Sequence, residues 1–273
     1  MKDGVILETQ NLTLKGVNNG LFVDYGSFKV CGGDFVIIKG KNGCGKSTLF
    51  KYLSRDSDVY YKVGGGVKFY GADLPDKFID DFTDAEASAL LRSIVYVGQE
   101  DEFETGATAY YSVYVPAARA IKADKRLSPA EKRKKLEETD GIIKEYFNKY
   151  LRDGFKCTER QFAHKRVRKY SGGQQKMLHV LSGIIKARVC GVELVMLDEP
   201  LNNLDGQNKA ILNGVFSDLI NEKTAVMIIT HCQVFDCINK VLTVVQDGDN
   251  AGRAELKECA LKAHPGCLEE YRK

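Results

Sequence analysis

The segment that most limits how this chain can fold is a short apolar run, Asp34–Lys39 (DFVIIK), followed at once by Gly40-Lys41-Asn42-Gly43-Cys44-Gly45-Lys46-Ser47. The run reads as a strand buried on both faces. The glycines let successive backbone N–H groups turn inward, and a helix is expected from Lys46 to about Leu53. The loop fits the pattern G-x-x-x-x-G-K-[ST] through Gly40, Gly45, Lys46 and Ser47. Strand before and helix after are the context that pattern requires. The chemistry is that of a phosphate cradle. Lys46 reaches the β- and γ-phosphates as a compact cation, and Ser47 offers a hydroxyl to Mg²⁺. Lys41, Asn42, Gly43, Cys44 and Thr48 complete the nucleotide-binding stretch.

Alternation of strand and helix signals continues on both sides of this loop. Val5–Leu14 and Leu21–Val30 read as strands joined by a turn at Gly16–Gly20. Val59–Val63 and Val67–Tyr70 read as two more strands, split by three glycines. Thr83-x-x-Glu86 is a capping box for a helix to about Arg92, and Ile94–Val97 is a strand ending at Gly98-Gln99. From Thr105 to Lys169 strand signals almost vanish. Ser128-Pro129-x-Glu131 marks a helix start, and Pro116 is expected to break or kink the helix holding it. Ile143, Tyr146, Phe147, Tyr150 and Leu151 recur at helical spacing, the pattern of a core stripe.

After this helical stretch αβ alternation returns. Helices are expected over Gly172 to about Arg188, about Asp205–Asn221, and from near His231. Strands are expected at Leu194–Leu197, Ala225–Thr230 and Val241–Gln246. The organisation is one domain, with residues 1–104 and 171–249 as an α/β core carrying a β subdomain, 105–170 as a helical insertion, and 250–273 as a polar tail.

Two further motifs carry chemistry. Leu194–Leu197 ends in Asp198-Glu199: an acid at a buried strand end suits Mg²⁺, and a second acid beside it is placed to polarise water. Ser171-Gly172-Gly173-Gln174 is a second short anion-binding turn opening a helix. Taken alone, a histidine at a strand end, such as His231 after Thr230, is more often structural.

The order of phosphate loop, Gln99, Ser171–Gln174, Asp198-Glu199-Pro200, Leu204-Asp205 and His231 resembles the ATP-binding-cassette (ABC) ATPases, from roughly Val5 to Gln246. The resemblance implies an α/β fold: a P-loop NTPase core with an antiparallel β subdomain and an inserted α-helical subdomain. It implies ATP and Mg²⁺ as ligands, the metal held by Ser47, Gln99 and Asp198. Lys46, Glu199 and His231 are the implied catalytic residues, His231 on the γ-phosphate. Ser171, Gly172, Gly173 and Gln174 are implied to cap the nucleotide of a second cassette, with Asp205 linking the two sites. Two cassettes, identical or paralogous, would then close head to tail on two MgATP.

Departures from the family pattern are local. No aromatic residue lies between Glu8 and Gly20, where the family usually places the ring that stacks on adenine. Phe22 or Tyr25 is left as a substitute, and GTP could be tolerated. Tyr170 stands where leucine is common, and Asn202-Asn203 where small residues precede the leucine. Cys44, beside Lys46 at a helix start, is either a stabilised thiolate whose alkylation blocks turnover or an inert small residue. The basic run His164–Lys169 reads as a solvated face, with a phosphate, lipid or RNA contact as the alternative.

Composition removes several classes. Net charge is +3, from 40 basic and 37 acidic residues, so no global field calls for nucleic acid. No apolar run approaches the ~18 residues of a membrane span, and no signal peptide is evident. Eight scattered cysteines without a Cys-x-x-Cys pair fit a reducing cytosol. The expected function is the ATPase subunit of a transporter, peripheral on the cytoplasmic face of a membrane and working with a separate transmembrane subunit. The alternative is a soluble, non-transport cassette, such as one serving iron–sulfur cluster assembly.

Overall fold

A computed structural model of the chain describes residues 4–17, 20–55, 61–71, 73–99, 106–202, 204–231, 235, 237–246 and 251–258. The strands are β1 (Val5–Gly16), β2 (Phe22–Gly26), β3 (Lys29–Cys31), β4 (Phe35–Gly40), β5 (Tyr61–Phe69), β6 (Ile94–Val97), β7 (Leu194–Asp198), β8 (Ala225–Ile229), β9 (Lys240–Gln246) and β10 (Ala251–Glu258). The helices are α1 (Lys46–Leu53), α2 (Asp84–Ser93), α3 (Ala109–Ala123), α4 (Pro129–Tyr146), α5 (Arg152–Gly154), α6 (Glu159–His164), α7 (Gly172–Cys190) and α8 (Gly206–Asn221). One sheet runs β3-β1-β2-β10-β9-β4-β8-β7-β6, and β5 pairs with β1 off this path.

The strands around β4 are parallel: β4 pairs with β8 and β9, β8 with β7, and β7 with β6. The central strands β4, β7 and β8 are mostly apolar because both faces are covered. Phe35 and Ile37 of β4, Val195 and Leu197 of β7, and Val226 and Ile228 of β8 enter one core with α3, α7 and α8. Val36 and Ile38, Leu194 and Met196, and Met227 and Ile229 enter the other, with α1, β1 and β2. The period-2 alternation of a strand thus feeds two cores at once.

Four expectations need correction. Leu21–Val30 is two strands, because the chain turns at Gly26 (φ 63°), whose N–H donates to Asp24 Oδ1 at 2.9 Å. The segment around the three glycines is one strand, β5. Its partner β1 bulges near Asn11, and a Cβ on Gly65 would lie 2.1 Å from the Gln10 carbonyl, so glycine lets the strand pass. Of the break or kink expected at Pro116, the break does not occur: α3 continues to Ala123, with Val113, Ala117 and Ile121 buried and the helix packed along α7. The polar tail contributes β10, inserted between β2 and β9.

Other expectations hold. Thr83 and Ser128 form capping boxes with Glu86 and Glu131, and Pro129 opens α4. Ile143, Tyr146, Phe147 and Leu151 are core residues, though the last two sit on a π-helical turn, Phe147–Leu151. The helix expected to start near His231 is not found at the described residues there, because His231, Phe235 and residues 237–239 are not helical; residues 232–234 and 236, residues 18 and 19 of the Gly16–Gly20 turn, and residues 259–273 lie outside the described residues.

Candidate functional site: a phosphate loop at the ends of parallel strands

Parallel neighbours present their carboxyl ends at one edge, where α/β sheets hold ligands. β4 delivers the loop from Gly40, β6 delivers Gln99, β7 delivers Asp198 and Glu199, and β8 leads to Thr230 and His231. Residues far apart in sequence therefore meet. A cavity of about 400 Å³ is lined by Leu21, Asn42, Gly43, Gly45, Lys46, Ser47, Thr48, Gln99 and Glu199.

The loop itself is set by glycine. Gly45 precedes α1 at φ 103°, and a Cβ there would stand 2.4 Å from Val23 Cγ2. The loop therefore lies close on β2 with no room for a side chain. Lys46 is buried, and its Nζ donates to the carbonyls of Gly40 at 2.9 Å and Lys41 at 2.8 Å. Its charge is thus held across the loop that carries it.

Asp198 is 4% exposed. Burial raises its carboxyl above the ordinary range and the neighbouring Glu199 adds to this, while a hydrogen bond from Ser47 and the charge of Lys46 oppose it. A buried carboxylate joined to a hydroxyl is a hard-oxygen pair of the kind Mg²⁺ takes, with its other positions left to phosphate and water. The residues present therefore fit the metal.

Glu199 adopts φ 49°, uncommon for a non-glycine residue. Its N–H donates to the Ile229 carbonyl at 2.9 Å, tying the end of β7 to β8. Gln99 Nε2 donates to Glu199 Oε2 at 3.1 Å, and the Asn202 side-chain amide donates to the same oxygen. His231 Nε2 stands 3.9 Å from Glu199 Oε1. Lys176 Nζ reaches the Gln99 carbonyl at 3.5 Å. Asn202 and Lys176 were not among the residues expected at the site. Asn202 differed from the family pattern, which was a usable signal, whereas nothing in the sequence separates Lys176 from an ordinary surface lysine.

The other expected residues lie elsewhere. Ser171 caps α7 in a capping box with Gln174, both bonds at 3.2 Å, and Ser171 and Gly172 are exposed. Asp205 caps α8, accepting from Asn208 N–H at 2.8 Å. None of these lines the cavity of this protomer.

Burial bears on three local expectations. Cys44 is 1% exposed, its Sγ 3.4 Å from the Val244 carbonyl, and burial pushes its thiol up despite Lys46. This favours the reading of Cys44 as an inert small residue. Tyr25 is 2% exposed, with its hydroxyl donating to the Gly45 carbonyl at 2.5 Å, so it supports the loop from below instead of stacking on a base. The basic run His164–Lys169 is exposed apart from Val167, which suits a solvated face and a phosphate, lipid or RNA contact alike; Lys165 lies over the Tyr170 ring at 4.1 Å.

Strand, glycine loop, helix start and converging acids define a P-loop nucleotide-binding domain of the α/β class. A family model described as ABC transporter matches residues 23–202, and the chain belongs to that family, whose cassettes hydrolyse ATP. The osmoprotectant import ATP-binding protein OsmV of Salmonella typhimurium is 26% identical over 210 residues, 77% of this chain and 47% of that protein. The energy-dependent translational throttle protein EttA of Escherichia coli is 25% identical over 268 residues, 98% of this chain and 38% of that protein. This chain thus spans about half or less of the length of these relatives. A solved dimeric structure of an ATP-binding cassette, in a post-hydrolysis state bound to ADP and Pi, matches with a TM-score of 0.63 at 21% identity, over 95% of this chain and 100% of that one. That likeness concerns the fold.

Proposed function

We propose that this chain is the ATP-binding and ATP-hydrolysing subunit of a transporter, closing head to tail with a second cassette and driving a separate membrane subunit. The observation that carries the reading is the convergence of Lys46, Ser47, Gln99, Asp198 and Glu199 on one loop. Lys46 and the loop N–H groups bind and orient the phosphates of ATP. Ser47 and Asp198, with Gln99, would hold Mg²⁺. When bound, the metal neutralises phosphate charge and polarises the γ-phosphoryl group. Glu199 orients the attacking water, and His231 lies beside it to contact the γ-phosphate.

One protomer leaves this site open on a side that Ser171–Gln174 do not reach. The exposed start of α7 keeps the Gly172 and Gly173 N–H groups free of the capping box, as donors for a phosphate on a second protomer. That exposure supports the pairing, and Asp205 would couple the two sites. No helix among the described residues is long and apolar enough to cross a membrane, so any channel must come from another chain or segment. The helical insertion and Gln99 would form the docking surface for such a partner; a groove of about 600 Å³ between α2, α3 and α7, lined by Leu91, Ala120, Lys125, Lys186 and the paired Asp124 and Arg126, does not include Gln99. Similarity to EttA over nearly the whole chain favours a second reading, a cassette that works away from membranes.

The test is Glu199→Gln. The variant is expected to bind MgATP, lose turnover and accumulate as a dimer by light scattering. A monomer at saturating MgATP refutes the head-to-tail reading. Co-purification from detergent with a multi-span protein supports transport, and a complex wholly free of membrane proteins supports the second reading.

A further inference from the structure

We propose that Asn202 is a positioning residue for hydrolysis, holding one oxygen of the Glu199 carboxylate so that the other is presented to water. The inference rests on the reading of Glu199 above. The main chain of Glu199 is held by its N–H on the Ile229 carbonyl and by Asn202 N–H, which donates to the Glu199 carbonyl at 3.3 Å. Its side chain still has three torsions to fix. Two amides from two elements, Gln99 after β6 and Asn202 after β7, converge on Oε2. Oε1 is left on the His231 side, 3.9 Å from Nε2. A carboxylate gripped at a single oxygen by two donors cannot swing, and its remaining oxygen points one way.

The Asn202 amide is not there to satisfy a buried group. Asn202 is exposed, while Leu201 and Leu204 around it, at 2% and 6% exposure, fasten the turn into the core. The two amides also differ in their other duties. Gln99 is the residue expected to serve the metal, through Oε1, while its Nε2 donates to Glu199. Asn202 stands three residues from Glu199 on the same turn, so its hold on the carboxylate does not depend on the loop that carries Gln99.

The experiment compares the wild type with Asn202→Ala, Asn202→Asp and Glu199→Gln in turnover, MgATP affinity and melting temperature. A hydrogen bond to a charged group carries about tenfold or more. Asn202→Ala is expected to lower kcat by about that factor, with the MgATP Kd within about twofold of wild type. Asn202→Asp is the sharper variant. Aspartate suits the turn as well as asparagine does, but it lacks the donor and sets a like charge beside Glu199. A structural role predicts wild-type turnover for Asn202→Asp; positioning predicts turnover below that of Asn202→Ala at an unchanged melting temperature. Wild-type kcat in Asn202→Asp, or a melting temperature that falls in step with kcat, overturns the proposal. If Glu199→Gln itself turns over normally, the reading of Glu199 falls and this inference with it. If Glu199→Gln is inactive and both Asn202 variants are fully active, this inference alone falls.

Discussion

Tyr25→Phe separates a residue that props the phosphate loop from one that receives the base. The tyrosine lies under the loop, and its hydroxyl donates to the Gly45 carbonyl at 2.5 Å. Burial raises that hydroxyl well above an ordinary phenol, so it stays protonated and donates. Phenylalanine keeps the ring and removes only the donor. The Gly45 oxygen is not then orphaned, because Thr48 N–H also donates to it, at 3.1 Å. The loss is thus one net hydrogen bond, about 1 kcal/mol, and not the larger penalty of an unsatisfied buried acceptor. For a chain of this size that is a fall of roughly 2–4 °C in melting temperature. Loosening Gly45 is expected to weaken MgATP and MgGTP binding alike, by a few-fold. The assay is a thermal melt with nucleotide titrations of both bases. If Tyr25→Phe melts and binds as the wild type does, while Tyr25→Leu loses ATP selectively, Tyr25 is a stacking residue and the reasoning is refuted.

Cys44 is expected to resist alkylation in the folded protein and to be labelled only on unfolding; mass spectrometry of its peptide checks this, and rapid native labelling counts against its burial. Leu21 is the apolar side chain lining the nucleotide cavity, so MgATP and MgGTP are expected to bind within tenfold of each other by calorimetry. Asp34→Ala removes a carboxylate that accepts from Cys31 N–H at 2.6 Å, Lys240 Nζ at 2.7 Å and Asn239 Nδ2 at 2.7 Å, and leaves Lys240 buried without its counter-charge. A cost of about 3–5 kcal/mol is expected in urea unfolding, and a value under about 1 kcal/mol refutes the network's role. Asp124, held at about 2 chiefly by Arg126, and Glu86, held at about 2 chiefly by Lys77, are both depressed below the usual carboxylate range. Their contribution is full above the unfolded value near 4 and is lost as pH falls toward about 2. The stability difference between wild type and Asp124→Asn is therefore expected to shrink between pH 6 and pH 3.

What could be read beforehand follows the range of the forces involved. The phosphate loop, the capping boxes at Thr83 and Ser128 and the apolar runs of β4, β7 and β8 are local: side chain, cap and glycine lie within a few residues of one another. β10 was invisible because its reason is remote. Ala251–Glu258 alternates weakly and carries Arg, Lys and Glu, but β2 and β9 each leave a row of backbone groups that a strand between them satisfies. Pro116 reads as a breaker in isolation, yet packing along α7 holds α3 through it. The site divides in the same way. Lys46, Ser47, Asp198 and Glu199 are legible because each has a chemistry at its own position. The depth of Cys44 depends on Val244 of β9, the Tyr25 hydroxyl beneath Gly45 depends on β2, and the meeting of the loop, Gln99 and Glu199 depends on β4, β6 and β7 lying parallel and ending together. Reversing any one of these strands would carry its catalytic end to the far edge of the sheet, while the local motif would read the same.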